Sequence, residues 1–64
     1  MSKAYEMIKG KHFHDTDDVQ KFLDDHGIEW LGITSQYISL KEEDRIVTMM
    51  FGGNLDNFFV AYEF

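Results

Sequence analysis

A chain of 64 residues has material for one domain, expected over 1–64, and a domain of that size buries only about 60% of its unfolded surface. Without cysteine it has neither disulfide nor thiolate metal site to supplement its core. Its net charge of −6 opposes non-specific contact with nucleic-acid phosphates. No apolar run approaches the roughly 20 residues of a membrane span and the N-terminal lysines precede no signal-peptide core, so a cytoplasmic protein is expected.

Alternation in KAYEMIK predicts a first strand over 3–9, with Tyr5 and Met7 on one side and Ala4, Glu6 and Ile8 on the other, ended by Gly10. This segment is locally basic: Lys3, Lys9 and Lys11 stand against Glu6, which leaves −8 on the residues after 11. The best-marked element is a helix over about 16–26. Asp15 suits the N-cap, and Asp17 and Asp18 lie where the helix N-terminus favours carboxylates. Val19, Phe22 and Leu23 form an apolar stripe that His26 extends one turn on. Gly27 supplies a left-handed ending, after which Ile28 can reach back to Leu23.

Period two begins at Ile28, with Ile28, Trp30 and Gly32 on one face and Glu29, Leu31 and Ile33 on the other. Residues 34–36 suggest a bend or bulge, Tyr37, Ile38 and Leu40 resume the strand, and 41–44 form a charged turn. The chain closes on a hairpin, RIVTMMF and NFFVAYEF, joined by GGNLD, whose glycines supply positive φ. Its first strand puts Ile46, Thr48 and Met50 opposite Val47, Met49 and Phe51. Its second puts Phe58, Val60, Tyr62 and Phe64 opposite Phe59, Ala61 and Glu63. Both strands are mostly apolar on both sides, the mark of a sheet covered on both faces.

The fold expected is α+β: an antiparallel sheet of about four strands in β-α-β-β-β order with one helix packed on one face. A three-turn helix cannot cover two faces. The second therefore needs another cover, and a homodimer is expected, with a self-coiled monomer or a different protein over the aromatics as alternatives.

No catalytic signature is present. The serines and threonines lie in no nucleophile-elbow context and Gly52-Gly53 opens no helix, so no enzyme is expected. His12 and His14 project the same way from extended backbone beside Asp15, but only His26 remains to complete a three-histidine set; no metal and no cofactor are expected. Trp30, Tyr37 and Tyr62 resemble a base-stacking platform, yet the body offers only Lys21, Lys41 and Arg45 to follow a nucleic-acid backbone. Direct nucleic-acid binding and membrane association are accordingly not expected.

Two contact surfaces stand out: an aromatic face of Phe58, Val60, Tyr62 and Phe64 joined by Trp30, and an acidic ridge of Asp17, Asp18, Asp24, Asp25 and Glu29. The function expected is a non-enzymatic protein-binding module, a stoichiometric regulator or inhibitor of the kind phages and mobile elements carry. The alternative is an acidic nucleic-acid mimic that blocks a DNA- or RNA-binding host enzyme.

Overall fold

The computed structural model describes residues 2–64. Its first element, α1 (Lys3–Ile8), is a helix where alternation predicts a strand. Ser2 is the reason at the start: its hydroxyl accepts the Tyr5 N–H at 3.1 Å and caps the first turn. Ala4 and Ile8, one turn apart, are the buried positions. Alanine, glutamate, methionine and lysine are strong helix formers, so composition agrees with the cap. Gly10, at φ +83, then turns the chain into the two-residue strand β1 (His12–Phe13).

Helix α2 (Thr16–Asp25) begins and ends as its sequence requires. Asp15 accepts the Asp18 N–H at 3.0 Å, and the Asp18 carboxylate reaches back to the His14 N–H at 3.2 Å, a reciprocal arrangement close to a capping box. At the other end Ile28 N–H donates to Leu23 O at 2.9 Å and Gly27 N–H to Asp24 O at 3.1 Å, with Gly27 at φ +68, which is a Schellman motif. Val19 and Leu23 carry the buried stripe.

Four further strands, β2 (Glu29–Ile33), β3 (Tyr37–Glu42), β4 (Arg45–Asn54) and β5 (Asn57–Glu63), complete an antiparallel sheet in the order β1-β5-β4-β3-β2. The α+β class, the antiparallel sheet and a helix on one face are as the sequence predicts; the structure adds α1 and, in β1, a fifth strand. Thr34 organises the first hairpin, its hydroxyl accepting the Gln36 and Tyr37 N–H groups at 3.1 and 3.0 Å. Gly52 and Gly53 belong to β4, not to the turn, which consists of Leu55 and Asp56 between the paired Asn54 and Asn57.

Two irregularities decide which side chains share a face. In β2 the register jumps between Trp30, paired with Leu40, and Gly32, paired with Ser39. In the last hairpin it jumps between Met50, paired with Tyr62, and Phe51, paired with Val60, so Ala61 is the extra residue. Residues paired across antiparallel strands point to the same side, and a bulge reverses that side for everything beyond it. Both helices pack on one face: Ala4, Ile8, Val19 and Leu23 join Phe13, Ile38, Leu40, Val47, Met49, Phe58 and Val60 in a single core. No helix among the described residues is long and apolar enough to cross a membrane.

Candidate interaction surface

Because of the bulge at Ala61, the expected face of Phe58, Val60, Tyr62 and Phe64 is divided. Phe58 and Val60 face the helices and are buried, whereas Tyr62 shares the opposite side with its partner Met50. Phe64 follows it there, its N–H donating to Thr48 O at 2.9 Å and its ring meeting Tyr62 edge-on at 5.5 Å. Trp30 pairs with the buried Leu40 and so lies on the helix side, where its Nε1–H donates to Asp24 Oδ1 at 3.0 Å. Six of the ten aromatics, Tyr5, Phe13, Phe22, Trp30, Phe51 and Phe58, thus belong to or pack on the core. Phe13 holds Phe22 and Phe58, each at 6.0 Å between ring centres, and Phe51 meets Phe58 edge-on at 4.9 Å.

Among the described residues no helix packs on the opposite, outer face of the sheet. Its rows follow from the register: Phe59 beside Gly52 and His12; Tyr62, Met50 and Tyr37; Thr48, Ser39 and Gly32; Ile46, Lys41 and Glu29. Phe59 lies over the glycine pair, where a Cβ on Gly53 would come within 3.1 Å of its ring. Ser39 and Thr48 join hydroxyls at 3.4 Å. Tyr37 is 40% exposed, Tyr62 50%, Ile46 67% and Phe64 75%, so the face presents a largely apolar, aromatic-rich surface to solvent. Sequence reasoning did not single out Tyr37, Ile46, Met50 and Phe59 as its members. The signal that would have done so was their shared parity along adjacent strands, hidden by the unplaced bulges.

The acidic ridge is likewise divided. Asp17, Asp18, Asp24 and Asp25 are exposed on α2, but Asp18 is engaged at the helix start and Asp24 holds Trp30. Glu29 pairs with Lys41 on the outer face of the sheet, and the two line a cavity of about 280 Å³ with Lys3, Ala4 and Met7 of α1. Lys21 takes no part in the ion pairs among the described residues, Lys9–Glu6 at 2.8 Å and Arg45–Glu42 at 3.2 Å. The Glu6 carboxylate, by hydrogen bond and charge, raises the Lys9 ammonium above its ordinary range.

Each histidine has a local partner. His12 Nδ1 lies 2.8 Å from Asn57 Oδ1, while His14 Nδ1–H donates to Asp56 O at 3.2 Å, so both tie the β1 segment to the last hairpin. His26 Nδ1–H donates to Phe22 O at 2.8 Å and its ring stacks on Phe22 at 4.1 Å. No three histidine, aspartate or glutamate side chains converge at metal-holding distance among the described residues. A cavity of about 160 Å³ beside the last turn, between Ser35, Phe51, Asn54 and Phe58, is lined by no titratable side chain. Compared with known protein families, curated proteins and solved structures, the chain matches none.

Proposed function

We propose that this chain is a non-enzymatic protein-binding module, a stoichiometric regulator that works by occupying a surface with the outer face of its sheet. One observation carries the reading: both helices lie on the same side of the sheet, leaving Tyr37, Ile46, Tyr62 and Phe64 between 40% and 75% exposed on the other. Tyrosine and phenylalanine are favoured at the centres of protein interfaces because they bring large contact area with few rotatable bonds. A chain without cysteine suits a reducing compartment, and action in the cytoplasm is part of the proposal.

Nothing observed favours the nucleic-acid-mimic alternative, since two of its five carboxylates are tied down locally and a third stands opposite Lys41 in the sheet. The test is capture of a native partner by the immobilised chain, compared across variants. Tyr62→Lys should abolish capture, while Asp17→Asn with Asp25→Asn should preserve it. The reverse pattern, with capture that collapses as salt rises, overturns the reading in favour of an acidic contact.

A further inference from the structure

We infer that the occupant of the outer sheet face is a second copy of this chain, so that two sheets stack face to face between two outer helix layers. This rests on the reading of that face as the contact surface and adds the identity of what covers it.

Charge is the first argument. The chain carries −6, yet its outer face holds Glu29 directly opposite Lys41 and no other formally charged residue in its paired rows. The remaining acidic groups lie elsewhere: Glu6 on α1, Asp15 at the cap of α2 and four aspartates within it, Glu43 and Asp44 in one turn, Asp56 in another, and Glu42 and Glu63 bound at the start of α1. Two copies therefore meet through neutral surfaces and keep their acidic helices on opposite outsides. A basic partner would find little charge on this face to recognise, whereas an identical neutral face complements it.

Area is the second argument. The strands are 2, 5, 6, 10 and 7 residues long, which at about 3.4 Å of rise per residue and about 4.8 Å between strands make a sheet of roughly 500 Å² in projection. Two such faces stacked on each other enclose about 1,000 Å² in total, the size at which a specific interface begins, which suits a dimer that dissociates in the micromolar range. The sheet edges offer less. β1 is two residues long, and β2 is interrupted by its bulge between Trp30 and Gly32, a device that hinders strand-to-strand addition. Stacking across the face, with Met50 between Tyr37 and Tyr62 in the central row, is the geometry that remains.

Sedimentation equilibrium of the full chain across the micromolar range tests this. The expected result is a mass moving from 7.6 kDa toward twice that value, with weak dependence on salt. Tyr62→Lys and Ile46→Lys, both at well-exposed positions, should keep the far-ultraviolet circular dichroism spectrum and weaken the dimer by about tenfold or more. A monomer at every concentration overturns the inference, and if partner capture is still lost in Tyr62→Lys the contact-surface reading stands without it. A dimer unaffected by both substitutions forms elsewhere and overturns the inference, and the surface reading falls with it only where Tyr62→Lys also leaves partner capture intact.

Discussion

The two faces of one sheet are built from the same strands with similar residues, and they end in opposite conditions. On the helix side Ile38, Leu40 and Met49 have no exposure at all, while on the other side Tyr37, Ile46 and Tyr62 keep 40% to 67%. Hydrophobicity does not separate them. What separates them is that both helices are delivered to one side, α1 by its cap on Ser2 and α2 by its Val19–Leu23 stripe. Apolar residues on both sides of a strand therefore report what each side can bury, and the cover must be found separately.

The comparison breaks most visibly at Leu23, fully buried beneath the sheet. Leu23→Ala should cost about 2–5 kcal/mol, a large part of the ~5–15 kcal/mol that holds a domain together. Ile46→Thr on the outer face should stay within about 0.5 kcal/mol when measured at concentrations where the chain is monomeric. Urea unfolding of both variants measures the contrast, and equal losses would mean that the outer face is packed within a single chain.

A second contrast lies in the glycine pair beneath Phe59. Gly53 has φ +102, and a Cβ there would fall 2.7 Å from the Asn57 carbonyl oxygen; at Gly52 the nearest atom would be the Ala61 Cβ at 3.2 Å, without positive φ. Gly53→Ala should destabilise by more than about 1 kcal/mol and Gly52→Ala by less. Thermal melts of the two decide it; reversed order would mean that Phe59 packing, and not backbone conformation, requires these glycines.

A smaller effect tests whether an acidic ridge residue serves contact or structure. Asp24→Ala removes the acceptor for Trp30 Nε1–H and should cost up to about 1 kcal/mol while shifting tryptophan fluorescence. Unchanged emission would sink the structural role.

Much of this architecture was readable because its signals are local. Asp15, Gly27 and Ile28 mark the ends of α2 by cap chemistry that depends on neighbours only, and period two located β2 through β5. The segment 3–9 reads as a strand because Ala4 and Ile8 satisfy both a strand parity and a helical turn; what separates the two is Ser2, an N-cap residue just ahead of the segment. The expected aromatic face was lost for a different reason. A bulge is a property of two strands together, so Ala61 carries no mark of it, yet it moves Tyr62 to the side away from Phe58 and Val60. The same happened at Leu31, which places Ile33 on the side of Trp30 and not across from it.

The smallest effect concerns how the helix layer is attached. Glu42 Oε1 accepts the Ala4 N–H at 3.0 Å and its Oε2 accepts from Arg45 Nη2 at 3.2 Å, while Glu63 Oε1 accepts the Ser2 N–H at 3.2 Å. The Ala4 N–H first, and Arg45 after it, hold the Glu42 carboxyl below the usual glutamate range against an opposing contribution from burial. A carboxyl whose folded value is depressed contributes stability that is complete above its unfolded value and disappears as pH falls through the folded one. Acid should therefore loosen α1 on the helix side while leaving the outer rows, which contain no such anchor, as they are. Glu42→Gln should lower stability at neutral pH and flatten the acid limb of the stability curve, with the α1 amides losing hydrogen-exchange protection before those of β3 and β4. If the variant and the parent chain show the same dependence on pH, the carboxylate is not what fastens the N-terminal helix to the sheet.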